Sequence, residues 1–157
     1  KVYGVEVSLD VPLNQFIRNS ILELDYKFMK SEFTDPLTNE QRELTNLSSP
    51  DARGEFRQDL VEYQLSWGLG YDAYNESEDF YIGEYGRFRT ENKWDAFVEK
   101  VLSNGFKLRG SVINLGDEKQ YWYREIYDDN RTSPTSAYEK TNRNRGPIFS
   151  LTVSRAF

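Results

Sequence analysis

Histidine and cysteine are absent from the sequence, and these absences remove most of the side-chain chemistry available to an enzyme. Without histidine there is no imidazole general base and no common transition-metal ligand. Without cysteine there is no thiolate nucleophile, disulfide or cysteine zinc site. Ser-His-Asp, Cys-His and His-Glu-x-x-His sites are therefore excluded.

Paired carboxylates are the remaining candidates for acid–base chemistry. Glycoside hydrolysis needs two acids roughly 5–10 Å apart, and acids are dense at Glu76, Glu78 and Asp79 and again at Asp128 and Asp129. Both clusters fall in predicted turns or loops, where solvated acidic side chains are the simpler interpretation. Neither shows a ligand ladder with calcium-binding spacing. We therefore expect no enzyme activity, no cofactor and no metal site.

A glycine pattern, Gly68-Leu-Gly70-Tyr-Asp-Ala73, matches the dinucleotide fingerprint G-x-G-x-x-A. It ends an alternating run and precedes a polar turn, with no helix to receive a pyrophosphate. We interpret these glycines as small residues of a strand.

A cluster of rings with one cation is the candidate ligand site. It consists of Tyr121, Trp122, Tyr123, Arg124 and Tyr127, in a polar segment that reads as a loop. Rings stack on sugars or ligand aromatics, and arginine holds carboxylates or phosphates. The alternative is that these rings form an aromatic girdle at a membrane interface.

Composition limits the class of protein further. A length of 157 residues suits one domain, and 20 basic against 26 acidic residues give a net charge of −6, which argues against nucleic-acid binding. Only 38% of residues are hydrophobic, yet 15% are aromatic. Such a chain has few aliphatic side chains for a dense core and many rings with one polar end.

Alternation of apolar and polar residues is the dominant pattern and predicts an all-β fold. The clearest runs are Val5–Val11, Leu22–Phe28, Val61–Tyr71, Phe106–Val112 and Phe149–Phe157, with a less clear strand at Phe80–Arg89. Two polar segments, Thr34–Arg53 and Gly116–Gly146, read as long loops. Residues 90–103 have helical apolar spacing, but Ser103-Asn104-Gly105 also suits a hairpin, and we predict a strand there.

Transmembrane β-strands fit this pattern. Charges interrupt every apolar stretch before the roughly 20 residues of a membrane helix, whereas a barrel strand needs apolar residues only at alternate positions. Tyrosine and tryptophan fall near strand ends, and short turns alternate with long loops. We predict antiparallel up-and-down strands forming a segment of a transmembrane β-barrel, about seven strands in all. A soluble all-β module with a sandwich core remains the alternative.

The sequence resembles the C-terminal barrel region of TonB-dependent outer-membrane receptors. Four stretches carry the resemblance: Val2–Val7 with its G-x-E opening, Leu22–Ser31, Leu108–Asp117 ending in Asn-Leu-x-Asp, and Gly146–Phe157 with its aromatic C-terminal residue. In order and spacing they span nearly the whole chain.

The resemblance implies active uptake of an iron chelate, a cobalamin or an oligosaccharide, driven through TonB and a plug domain. Residues 1–157 would then be the C-terminal part of a bacterial outer-membrane barrel, in contact with outer-membrane lipid, without the plug and the earlier strands. It also implies that Phe149, Leu151, Val153 and Phe157 form the signal read by the barrel-assembly machinery. Arg155 departs from that signature. A passive porin segment is the alternative within this class.

The resemblance also implies an orientation. With the C-terminus in the periplasm, both long loops face outward, and Pro12–Ser20, Asp72–Glu78 and Ser103–Gly105 face the periplasm. This arrangement requires Phe80–Arg89 and Trp94–Leu102 to be separate strands.

Overall fold

The protein is all β in the residues described by its computed structural model, 1–48 and 50–155, and every paired strand is antiparallel to its neighbour. The strands are β1 (Val2–Pro12), β2 (Ser20–Ser31), β3 (Phe33–Thr34), β4 (Gln41–Arg42), β5 (Asp51–Leu60), β6 (Leu65–Asp72), β7 (Asn75–Phe80), β8 (Glu84–Thr90), β9 (Lys93–Val101), β10 (Phe106–Ile113), β11 (Lys119–Tyr127), β12 (Thr135–Asn144) and β13 (Ile148–Arg155). A 3-10 turn, Val61–Tyr63, precedes β6.

The largest sheet contains seven strands in the order β1-β2-β5-β6-β9-β10-β13. Because each strand pairs with the next sheet member along the chain, all connections alternate between two ends. Three short connections, 13–19, 61–64 and 102–105, lie at one end, and three long ones, 32–50, 73–92 and 114–147, lie at the other. The sheet is open, with β1 and β13 as its edges.

The long connections carry a second sheet of four strands, in the order β12-β11-β8-β7. The β7–β8 hairpin lies between β6 and β9 in the chain, and β11–β12 lies between β10 and β13. The strands of the second sheet therefore follow the same order as β6, β9, β10 and β13, to which they are joined in the chain. They continue these four strands beyond the end of the first sheet. A two-stranded hairpin, β3–β4, occupies the connection between β2 and β5.

One face of the seven-stranded sheet is apolar from edge to edge. A single register row crosses all seven strands with apolar side chains throughout: Val11, Leu22, Phe56, Leu69, Ala96, Val112 and Phe149. Six strand spacings of about 4.8 Å and six residues of about 3.3 Å along each strand make this face roughly 29 Å by 20 Å. In this row Val11, Leu69 and Phe149 are 37%, 44% and 77% exposed, and the other four side chains are half-buried against their neighbours on the same face.

The opposite face of the same sheet is polar and rich in ion pairs. Glu99 lies within 3.0 Å of Lys107 and 3.5 Å of Arg109, and Lys93 lies 2.6 Å from Asp72. Phe97 also lies on this face, beneath the Arg109 guanidinium at 3.9 Å, and is the single buried hydrophobic side chain in the described part of the chain. The sheet is thus amphipathic, and neither face packs into a conventional core.

Gly68 makes the close approach of Phe97 possible. A Cβ at this position would collide with the Phe97 ring and lie 2.6 Å from the Phe56 carbonyl oxygen, which is backbone and cannot rotate away. At Gly70, on the same face of β6, a Cβ would lie an ordinary 3.5 Å from Asp95. The glycine fingerprint is therefore a packing feature within a strand, as we interpreted it.

We expect Gly68→Ala to destabilise the fold by about 1–3 kcal/mol, because the methyl group overpacks a rigid site. The matched change Gly70→Ala is expected to stay within about 0.5 kcal/mol. Denaturant unfolding of both variants measures the difference. Equal effects of the two substitutions would contradict the contact between Phe97 and Gly68.

Several predicted elements are placed differently by the structure. The Thr34–Arg53 loop contains β3, β4 and the start of β5, and the Gly116–Gly146 loop contains β11 and β12. The predicted seven strands omitted β5, and Phe80–Arg89 belongs to the second sheet. The Val61–Tyr71 run becomes a strand only at Leu65. These strands were missed because their sequences are rich in charged, polar and small residues, which obscures the alternation of apolar and polar side chains.

Residues 93–101 are strand β9, so the strand prediction for this region is confirmed and its helical interpretation is wrong. The placement of 72–78 with the short turns is also wrong, because this segment lies at the end of the long connections and enters β7. Pairing on both sides of β9 overrides the helical spacing of its apolar residues.

The residues of the predicted assembly signal lie on edge strand β13. Phe149, Leu151 and Val153 project from the apolar face and are 77%, 74% and 56% exposed, while Phe157 lies outside the described residues. The Arg155 guanidinium stacks over the Phe106 ring at 5.1 Å, which accommodates the departure from the signature. Within the described ranges, no helix has the length and apolar character to cross a membrane.

Candidate ligand-binding groove

The five candidate ligand residues lie on strand β11 rather than in a loop, and the strand separates them. Tyr121, Tyr123 and Tyr127 project to one face of the four-stranded sheet, and Trp122 and Arg124 project to the other. The cluster is therefore two surfaces, which we call the tyrosine face and the groove face. The loop placement of these residues is wrong, and the cluster is divided between two faces because side chains alternate along a strand.

On the tyrosine face, the tyrosine hydroxyl groups donate hydrogen bonds to carboxylates of the same chain. Tyr121 donates its hydroxyl to Glu91 at 2.7 Å, Tyr127 donates to Glu125 at 2.8 Å, and Tyr85 of β8 donates to Glu78 at 2.6 Å. Tyr123 also donates to Glu125, and its ring stacks against Tyr138 at 6.4 Å. These hydroxyls are already committed to carboxylates.

The tyrosines of this face remain neutral phenols at physiological pH. The hydrogen bond to Glu125 raises the pKa of Tyr123 to about 12, and burial raises the pKa of Tyr127 to about 12. The tyrosine face therefore supplies rings locked in position, and it stiffens the sheet that carries the other face.

The groove face encloses a cavity of about 610 Å³ above β7, β8, β11 and β12. Its middle row crosses the sheet as Ser77, Phe88, Trp122 and Thr141, with the Phe88 and Trp122 rings 5.5 Å apart. Trp122 is 46% exposed. On one side of this row lie Asp79, Gly86, Arg124 and Glu139, and on the other lie Asn75, Thr90, Gln120 and Arg143.

Arg124 is held by two carboxylates. Its guanidinium forms a bidentate pair with Glu84 and a second contact with Glu139 at 2.9 Å. The hydrogen bonds to Glu84 raise the pKa of Arg124 further and hold the pKa of the Glu84 carboxyl below its usual value. With all three guanidinium nitrogens bound to carboxylates and its charge balanced by them, Arg124 shapes the groove and is not a ready anion ligand.

Arg143 and Arg145 are the exposed cations of the groove, and sequence reasoning missed both because they lay in a predicted loop. Across the described residues, neither side chain comes within 4.0 Å of a carboxylate or donates a hydrogen bond. Burial raises the pKa of nearby Glu118, and the charge of Lys93, a hydrogen bond from Gln120 and the charge of Arg145 partly oppose that effect. These two arginines, with Phe88, are the residues added to the predicted site.

A buried ionic cluster ties together the loops beside the groove. Asp35, 1% exposed, accepts from Arg42 at 2.6 Å and from Arg131 of the β11–β12 connection. Both guanidinium groups lie over the Phe80 ring, at 4.3 and 5.4 Å. Arg131 also donates to the Tyr81 carbonyl at 2.6 Å. We call Asp35, Arg42, Arg131 and Phe80 the loop clamp.

The loop clamp is expected to weaken in acid. The hydrogen bond from Arg131 holds the pKa of Asp35 well below its ordinary value of 3.8. Because the pKa of Asp35 is lower in the folded state than in the unfolded state, its carboxylate stabilises the loops fully at pH values above its ordinary pKa. This stabilisation is lost as the pH falls through the folded-state pKa. The protection factors of amides in residues 32–50, which are exchange rates corrected for their intrinsic pH dependence, should therefore fall from about pH 4 downward and stay constant between pH 5 and 8. A fall of the protection factors already at pH 6 would contradict this assignment.

The chain matches no protein-family model, no curated protein and no solved structure. No group of three or more acidic side chains in the described ranges converges as a metal site. The chemistry of the groove lining combines a platform of aromatic rings, carboxylates on one side of the rings and cations on the other.

Proposed function

We propose that this chain is the C-terminal wall segment of a TonB-dependent outer-membrane receptor, which takes up a scarce nutrient actively. In this proposal the seven-stranded sheet spans the membrane, the long connections face outward, and the groove contacts the ligand. Strands of 8 to 12 residues agree with the roughly 9–11 residues that a tilted transmembrane strand requires.

The carrying observation is the uncovered apolar face of the seven-stranded sheet. The largest apolar patch on a typical soluble monomer is about 300–600 Å², and the projected area of this face, roughly 29 Å by 20 Å, reaches the top of that range before the relief of its side chains is counted. A sandwich would cover such a face with a second sheet, but the four-stranded sheet extends the first end to end. Lipid is the covering that suits an apolar face opposite an ion-paired polar one.

Cell fractionation of the full-length natural product tests the membrane placement. We expect it in the outer-membrane fraction, extractable only with detergent, and shifted on gels by heating. A product that is soluble in plain buffer and absent from outer membranes would overturn the proposal and favour a soluble ligand-binding module.

Energy dependence separates active uptake from passive permeation. Nutrient accumulation by cells that produce the full-length protein should stop when the inner-membrane proton gradient is collapsed or TonB is removed. Uptake that persists under both conditions would identify a porin.

A further inference from the structure

The ring platform of the groove is open to a ligand. Trp122 and Phe88 are flanked within their row by the short side chains of Ser77 and Thr141. Beside them Gly86 contributes no side chain, and a Cβ there would lie an ordinary 3.5 Å from Asp79. A flat indole with a polar surround can stack on the C–H face of a sugar ring.

Acidic and basic side chains lie on opposite sides of the ring row in the groove. Acidic groups lie on one side of the ring row, where Asp79 makes no ion pair with the rest of the described chain and Glu84 and Glu139 hold Arg124. Arg143 lies on the other side, about 7 Å from the ring row along its strand, and Arg145 follows it. A ligand seated on Trp122 therefore meets acceptors at one end and cations at the other.

This separation of acidic and basic groups restricts the chemical class of the ligand. A polyanion such as a tris-catecholate would bring negative charge against Asp79, whereas a neutral sugar would leave two arginines unused. A sugar ring with several hydroxyl groups and one carboxylate satisfies both ends, because hydroxyls donate to carboxylates and arginine pairs with a carboxylate in a bidentate geometry. The cavity volume lies within the range of small-ligand sites.

Resting on the proposed uptake function, we propose that the groove binds an acidic saccharide, a uronic-acid oligosaccharide, with its ring on Trp122 and its carboxylate on Arg143 and Arg145. Thr141 lies beside Trp122 and Gln120 lies beside Arg143, and both can contact the ring hydroxyls.

Calorimetry on the detergent-solubilised full-length receptor tests this assignment with two probes, trigalacturonate and its uncharged galactose counterpart. We expect the acidic probe to bind at least tenfold more tightly. A hydrogen bond between charged groups contributes about 1.4 kcal/mol more to the binding free energy than a neutral one, and that difference is tenfold in affinity. Arg143→Gln combined with Arg145→Gln should remove the preference. Lys140→Gln, on the same strand but on the tyrosine face, is the matched control and should retain it.

Two further variants test the ring platform. Trp122→Ala should weaken binding of both probes, and Gly86→Val should obstruct the groove while leaving the heat-shifted gel behaviour of the folded protein intact. Equal affinity for the two probes, preference for a catecholate, or no saccharide binding by correctly folded outer-membrane protein would each overturn the acidic-saccharide assignment and leave the uptake proposal standing. Saccharide binding by a protein found outside the membrane would instead overturn the uptake proposal alone.

Discussion

Leu9→Arg is expected to destabilise the protein by about 2–4 kcal/mol in the proposed membrane placement, which is the cost of an arginine on the lipid-facing side near the bilayer midplane. Leu9 projects from the apolar face of β1 opposite Leu24 and is 52% exposed. If that face contacts lipid, the substitution places a guanidinium in hydrocarbon, where its hydration is lost. If the face contacts water, an exposed leucine can be replaced at a cost within about 0.5 kcal/mol.

Ser8→Arg is the matched control, since it adds the same side chain one residue away on the polar face. Its cross-strand neighbour there is Asp25, which can pair with the new cation. Unfolding of the full-length protein in liposomes, followed by tryptophan fluorescence, measures both variants. A difference of less than about 0.5 kcal/mol between them would contradict the lipid-facing assignment.

Asp35→Ala is expected to cost about 3–5 kcal/mol in the stability of the loops, because removing one partner leaves buried charge uncompensated. Arg42 and Arg131 are 13% and 8% exposed and share this one carboxylate. Their guanidinium groups would then have to reorganise toward solvent and leave the Phe80 ring. Loosening should extend to the connections 32–50 and 128–134 together, since the loop clamp joins them.

Hydrogen exchange resolved by segment measures this effect, and Glu40→Ala provides the control in the same connection. Glu40 has an exposed side chain with no ion pair among the described residues, and its backbone carbonyl accepts from the Asp35 amide. Exchange that is equally fast in both variants, or faster only in 32–50, would show that the clamp does not couple the two connections.

The sequence predicted the aromatic cluster of β11 but not its arrangement on the sheet. Tyr121, Trp122, Tyr123, Arg124 and Tyr127 were recognisable as a ring cluster from composition alone, but their division between two faces required knowing that they form a strand. Arg143 and Arg145 carried no local signal, because an arginine in a polar segment is ordinary. Only the pairing of β12 with β11 brings Arg143 beside Gln120.

The loop clamp was equally hidden, since Asp35 and Arg131 are 96 residues apart. Nothing in a single sequence pairs two such residues. The strand β5 was hidden for a different reason: its Arg53, Glu55, Arg57 and Asp59 face the ion-paired side, and its other face includes Ala52 and Gly54. That composition weakens the apolar alternation that identifies a half-buried strand.

The sequence by itself determined the all-β class and the amphipathic character of most main-sheet strands, because the pleat sends alternate side chains to opposite faces whatever their neighbours are. It also excluded histidine and cysteine chemistry outright. The tertiary structure alone decided that seven such strands align their apolar faces into one uncovered surface. It also decided that four of them extend into a second sheet with a groove. Register and strand order depend on contacts between distant residues, and local alternation carries no information about which strand will be the neighbour.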